Sequence, residues 1–221
     1  MSDAPAPTAR AAVAAAAIEL FAEQGFEQTS VEQIAKAAGV SRSTFFRQFG
    51  GKEDVVFADH EELLRELEAS LARDHDDPWA AVCEACIDVF RHFAADPQLA
   101  RRRYAVVRGV PVLREREIVT VFRYERIFDD YLRRALPGLD PVDAVGFAAL
   151  VTAVHNHVLR RLLRGERVAQ NVLRRALDDA RRRFGVFPEA GDAAGDDVVV
   201  ATFPRRMPAA EVARRLRDAL A

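Results

Sequence analysis

The sequence predicts an all-α protein: an N-terminal three-helix head, a larger helical body and a short tail of different character. Apolar residues recur at three- and four-residue spacing through most of the chain. Proline and glycine cut it into helix-sized pieces. No alternating strand pattern occurs until "DDVVVATF", near Val198.

The pieces follow in order. Residues 8–24 form the first helix, with Ile18, Leu20 and Phe21 near its end and Gly25 as its stop. Residues 30–38 and 41–49 form two short helices. Residues 52–73 read as one long, highly charged helix. Residues 78–95 carry Trp79, Val82, Cys86, Phe90 and Phe93 at helical spacing. Pro97 suits the first turn of the next helix. Helices over 115–136, 141–164 and 168–184 follow, with Gly165 and Gly185 marking ends. No repeat of domain-array length and no sustained heptad is visible.

Composition narrows the classes. Half the 221 residues are hydrophobic and 30% are charged, as in a soluble protein with a real core. The net charge of -2 means that any nucleic-acid surface must be local. No apolar run reaches the roughly 18–20 residues of a membrane span, so no membrane partner is expected. "MSDAPAPTARAAVAAAAIEL" lacks a basic stretch before its apolar part and reads as an Ala/Pro lead into a helix rather than a signal peptide. Two cysteines make no disulfide framework, which points to a reducing cytoplasm.

One stretch departs from this acidic background. From Lys36 to Lys52 there are four positive charges (Lys36, Arg42, Arg47, Lys52) and no negative one. Ser30 is an N-cap and Gln33 completes a capping box. Val31, Ile34, Ala35 and Ala38 give the short helix an apolar side, and Gly39 supplies the left-handed residue that ends it. Ser41 caps a second helix, with Phe45 and Phe49 facing inward. Two short helices on a glycine turn make a helix-turn-helix, whose second helix enters the major groove by its N-terminal residues. Those are Ser41, Arg42, Ser43 and Thr44. Arginine can read guanine, and hydroxyls can bond bases or phosphates. Lys36, Arg47 and Lys52 can neutralise phosphates.

"TSVEQIAKAAGVSRSTFFRQFGGKEDV", with the preceding "AAIELFAEQGFEQTS", resembles the N-terminal signature of TetR-type transcriptional regulators. The resemblance is close over residues 8–56; beyond them it rests on helical layout and length. It implies a DNA-binding head on a ligand-binding body, working as a homodimer that leaves a palindromic operator when a small effector binds. Carried over by position, it implies phosphate contacts at Thr29 and Lys52 and groove contacts at Arg42, Ser43 and Thr44. The family's frequent tyrosine in the recognition helix is replaced by Phe46, which has no hydroxyl for a phosphate, and Gln48 stands where histidine is frequent. Anchoring then leans on Arg47 and Lys52.

In the body, polar residues on apolar stripes are the informative ones. Arg103 lies in line with Leu99, Val106 and Val110; Glu125 with Ile118, Val121, Phe122, Phe128 and Leu132; His155 with Val151, Val158 and Leu162. A buried charge is costly unless paired, so an Arg103–Glu125 pair or a ligand contact is expected. With Phe90, Phe93 and Phe122, these three make the candidate pocket for an apolar or amphipathic effector. "CEAC" (Cys83, Cys86) sits in an apolar stripe without a second CxxC or finger-spaced histidines, so it reads as core. "HNH" at 155–157 lacks the acidic cluster of a nuclease. No nucleophile elbow, phosphate loop or paired catalytic carboxylates occur, so neither an enzyme nor a cofactor is expected.

Small residues Gly146, Ala149 and Ala153, with Val172, Leu173, Ala176, Leu177 and Ala180, suggest a four-helix dimer interface. The expected organisation is residues 1–51 as DNA-binding head, 52–187 as ligand-binding and dimerisation body, and 188–221 as a linker, a strand at Val198–Phe203 and a helix from Pro208. The function so read is a ligand-responsive repressor. The alternative is a dimeric carrier of acyl- or lipid-like ligands without DNA binding.

Overall fold

In the computed structural model, residues 9–186 and Met207 are described; the tail expected to form a strand and helix lies outside the described residues. Ten helices and no strands occur among them. The head comprises α1 (Ala9–Gln24), α2 (Val31–Ala37) and α3 (Arg42–Gln48), followed by α4 (Lys52–Val56) and α5 (Ala58–Leu71). The body adds α6 (Pro78–Ala95), α7 (Pro97–Gly109), α8 (Pro111–Ala135), α9 (Pro141–Leu163) and α10 (Gln170–Arg183).

Body helices start by a shared device. Proline takes the first turn of α6, α7 and α9, where its missing N–H would be unpaired anyway. The aspartate before each accepts a backbone N–H: Asp77 from Ala80 at 2.9 Å, Asp96 from Leu99 at 3.0 Å, and Asp140 from Val142 at 2.8 Å. Pro111 starts α8 in the same way but without a side-chain cap, and extends that helix four residues upstream of the expected 115.

The long helix expected over 52–73 is broken at Phe57, whose φ of -105° and ψ of 12° leave the helical region. Packing explains the break. Val55, Val56, Phe57 and Ala58 are all buried, and a straight helix cannot turn four successive side chains toward one core. The kink sends Val55–Ala58 into the head core and then lets Leu63, Leu64, Leu67 and Leu71 face the body core.

Two apolar clusters result. The body cluster gathers α5, α6, α8, α9 and α10 around Phe90, Phe128, Phe147 and Leu132. Trp79, Phe147 and Phe184 meet there edge to face, at 4.7 and 5.3 Å between centroids. The head cluster joins Phe21, Ile34, Phe45 and Phe49 to Val106 and Val107 of α7 and Leu113 of α8. Head and body therefore share side chains from α7 and α8.

α9 corrects the expectation about membranes: it is long and apolar enough to cross one. Its apolar residues, among them Phe147, Ala148, Val151 and Val158, form instead the centre of the body cluster. The small-residue dimer face also needs revision. A side chain at Gly146 would meet Phe184 of its own chain at 3.4 Å, and Leu173, Leu177 and Ala180 are buried in the chain's own core. What α9 and α10 leave outward is Val142, Val145, Ala153 and Val172.

Candidate nucleic-acid interface and body cavity

The turn between α2 and α3 is built from local chemistry. Ser30 and Gln33 form the reciprocal capping box, with Gln33 N–H donating to Ser30 Oγ at 3.2 Å and Ser30 N–H to Gln33 Oε1 at 2.7 Å. Gly39 has φ +67°, and the next N–H, of Val40, reaches back to the carbonyl of Ala35 at 2.9 Å. Ser41 Oγ then accepts the N–H of Thr44 at 3.0 Å and lies 2.8 and 2.9 Å from the hydroxyls of Ser43 and Thr44.

α3 splits cleanly into two faces. Phe45 and Phe49 are buried against the head, 5.3 Å apart. Ser41, Arg42, Ser43, Phe46 and Arg47 are exposed, and Thr44 is half-buried. The helix is held from its far end by Arg10, which donates to the carbonyl of Gln48 at 2.9 Å and lies over the ring of Phe49 at 4.9 Å. Arg42 leans across Phe46 and pairs with Glu32 of α2 at 2.9 Å. So the run without acids in sequence has an acid beside it in space. Lys36 and Arg47 are exposed and make no ion pair with the described residues.

Two of the expected phosphate contacts are engaged inside the head. Thr29 is buried; its hydroxyl donates to the carbonyl of Gly25 at 2.7 Å and accepts from Gln24 at 3.1 Å. That hydroxyl ties the end of α1 to the start of α2, which corrects the phosphate role expected for its side chain. Lys52 donates to the carbonyl of Phe26 at 2.9 Å and sits 4.3 Å from the centre of its ring, with Glu27 at 3.8 Å. It pins α4 to the turn after α1.

The body holds a cavity of about 50 Å³ between α5, α6, α7, α8 and α9. Arg103, His155, Tyr124, Thr152 and His60 form its polar side; Cys86, Val89, Phe128 and Leu159 form its apolar side. Arg103 and His155, two of the expected effector-site residues, both line this cavity. Phe90 is in the body core and does not line the cavity, and Phe93 borders a smaller hollow with Arg103. Phe122 is 62% exposed and Glu125 only half-buried on the outer side of α8, so neither lines the cavity and the Arg103–Glu125 pair does not form. α8 carries two stripes at helical spacing. The inner one runs through Leu113, Thr120, Tyr124, Phe128 and Tyr131, and the more apolar Ile118–Phe122 stripe faces out.

The partner that sequence reasoning missed is His60. Its Nε2 lies 2.7 Å from Arg103 Nη2 and its Nδ1 lies 3.2 Å from Tyr124 Oη. A guanidinium can only donate, so Nε2 is the acceptor and the ring proton sits on Nδ1, donated to Tyr124. Burial, then the charge of Arg103, pushes His60 well below the usual histidine range. Burial takes His155 down to about 4. Burial also lowers Arg103, against the opposing charges of Asp59 and Glu117. Burial alone would raise Asp59, but the hydrogen bond from His92 and the charges of Arg103 and His92 outweigh it and hold the carboxyl below its ordinary range. Burial lifts the Cys83 thiol to about 12 and raises Cys86 as well, so both are apolar fillers rather than thiolates.

Residues 13–58 match the family described as "Bacterial regulatory proteins, tetR family". The chain is 58% identical over 40 residues, 18% of each protein, to the HTH-type transcriptional regulator TcmR of Streptomyces glaucescens. The first curated relatives are matched over half of their own length or less. Among solved structures, NalD of Pseudomonas aeruginosa, the secondary repressor of the MexAB-OprM multidrug efflux pump, is 23% identical, with 79% of this chain and 96% of that one covered and a TM-score of 0.56. SmeT in complex with triclosan is 21% identical, covers 91% and 100%, and has a TM-score of 0.61. These likenesses in the body are likenesses of fold. Through residues 13–58, with their capped α2, glycine turn and exposed α3, the chain carries an N-terminal domain that matches the tetR family of bacterial regulatory proteins.

Proposed function

We propose that this protein is a one-component, ligand-responsive transcriptional repressor. Two copies grip a palindromic operator, each inserting α3 into the major groove. The observation that carries this reading is the two-faced α3: phenylalanines locked into the head, and a hydroxyl- and arginine-bearing N-terminal half presented to solvent. Arg42 and Ser43 reach base edges; Lys36 and Arg47 contact phosphates. α9 and α10 supply the dimer interface through Val142, Val145, Ala153 and Val172, an outward apolar set that needs a partner. The working compartment is the cytoplasm, where operator and effector meet.

Release is mechanical. α7 and α8 border the cavity at one end and enter the head core at the other through Val106, Val107 and Leu113. A small apolar or amphipathic effector needs more room than about 50 Å³. It therefore favours a body with these helices spread, in which the two heads no longer match successive major grooves. The complex of the structural neighbour SmeT with triclosan supports a small-molecule effector.

A mobility-shift assay with the DNA upstream of the protein's own coding region tests the reading. A retarded complex is expected that weakens steeply with salt and that Arg42→Ala weakens by roughly five- to 150-fold. Binding of small molecules with no DNA binding at low salt would replace it with the carrier reading. Sedimentation equilibrium tests the dimer: Val145→Asp is expected to give monomers.

A further inference from the structure

The polar side of the body cavity is oversupplied with hydrogen-bond donors. Arg103 is only 7% exposed, and its one hydrogen bond goes to His60. Its Nε and Nη1 have no acceptor among the described residues. The hydroxyl of Thr152 and Nε2 of His155, both buried at the same cavity, also have no partner among the described residues. Tyr124 accepts the proton of His60 Nδ1, so its own O–H is free to be donated. A buried polar group without a partner is costly, and a buried guanidinium especially so. Acids lie near: Asp59, whose nearest ion pair is His92 at 3.7 Å, and Glu117 at the cavity wall. Neither forms an ion pair with Arg103.

We propose that the cavity receives the carboxylate of an amphipathic monocarboxylic acid, with Arg103 as its ion partner and Tyr124 and Thr152 as further donors. The cavity, at about 50 Å³, has room for a compact head and not for a tail. One carboxylate matches one guanidinium. A phosphate dianion would place a second negative charge close to Asp59 and Glu117, which disfavours it. The tail leaves the cavity between α8 and α9, where Val121, Asn156 and Arg160 form both the cavity's edge and part of an outer groove. Arg160 and Arg164 are exposed along that groove and make no ion pair with the described residues, so they attract an anion to the mouth. The proposal rests on the reading of the body as the effector domain and deepens it.

Isothermal titration calorimetry on the full chain without DNA tests it, with octanoate, octanol and methyl octanoate as probes. Octanoate is expected to bind, and the alcohol and ester to bind at least tenfold more weakly. Arg103→Gln should lose tens to about a hundredfold in octanoate affinity, and Tyr124→Phe several-fold, as for hydrogen bonds to a charged group. If Arg103→Gln fails to fold, judged by circular dichroism, Tyr124→Phe and Thr152→Val carry the comparison. Equal binding of acid and alcohol, binding indifferent to these variants, or no octanoate binding at millimolar concentration would each overturn the proposal. Because DNA is absent from the cell, the mobility shift succeeds or fails separately. Loss of DNA binding with octanoate binding intact removes the repressor reading and leaves the acid site.

Discussion

Arg103 and Val107 stand one turn apart on the same face of α7, yet they belong to different halves of the molecule. Arg103 borders the body cavity, and Val107 is buried in the head core, the cluster that also holds Phe45 of the recognition helix. Successive residues at this spacing move as one rigid turn of helix. A group pressing on Arg103 therefore reaches, through one turn of α7, the apolar cluster into which α3 packs. Val107→Ala should lower unfolding stability by about 1–3 kcal/mol through the cavity it opens. It should also blunt the effector's influence on operator binding while leaving effector affinity within about twofold. Calorimetry on free protein and mobility shifts with effector separate these effects; an unchanged DNA response would remove α7 from the coupling route.

The second prediction concerns the base-reading arginine. Arg42→Ala should cost about 1–3 kcal/mol of operator binding and little on random DNA. Its pair with Glu32 is exposed on both sides and contributes at most about 1 kcal/mol. Glu32→Gln should leave stability unchanged and tighten operator binding about two- to fivefold, because it frees Arg42 and removes a negative charge from the interface. Fluorescence anisotropy with specific and random duplexes measures both. Lys52→Ala is expected to lower the melting temperature as well as affinity, since Lys52 holds the carbonyl and ring of Phe26.

Gly39 isolates a backbone effect. A Cβ there meets nothing within 4 Å, so any cost of Gly39→Ala comes from its φ of +67° alone. The expected loss is about 1–2 kcal/mol. Gly39→Asn should lose less, because asparagine tolerates the left-handed region. Urea unfolding gives the comparison, and equal stability of alanine variant and parent would refute strain at this turn.

Acidity should loosen the body. Burial depresses His155 to about 4 from 6.5, so below pH 6.5 the unfolded chain binds a proton that the folded one refuses. Stability then rises with pH between about 4 and 6.5 and is flat above. His60, shifted the same way, adds to the slope. The contribution of His155 is up to about 3 kcal/mol across that window. Urea unfolding of His155→Gln at stepped pH should show a shallower slope over the same range; an identical slope would mean that His155 ionises freely when folded.

Legibility in the sequence followed the distance over which each feature is decided. The capping box at Ser30 and Gln33, the turn at Gly39 and the inward pair Phe45–Phe49 involve neighbours within one or two turns, and their residue types specify them. The break at Phe57 was not readable. It exists because two cores compete for residues 55–71, and the second core is assembled from helices far along the chain. Likewise the partner of Arg103 is His60, 43 positions earlier, which no helical period connects to it. On α8 the more hydrophobic stripe faces outward, while tyrosine and threonine face the cavity. Hydrophobicity alone picks the wrong side of such a helix, since a lined cavity wants groups that can bond its contents.

The tie between Arg10 and the last turn of α3 has a practical consequence. The C-terminal end of the DNA-reading helix is anchored by a residue in the first described turn of the chain, at the carbonyl of Gln48 and the ring of Phe49. Fusion tags, proteolytic trimming or expression from a shortened start at this end thus act on operator affinity rather than on the body. A preparation clipped just past Arg10 should pass every check of folding and effector binding and still behave as a weak DNA binder.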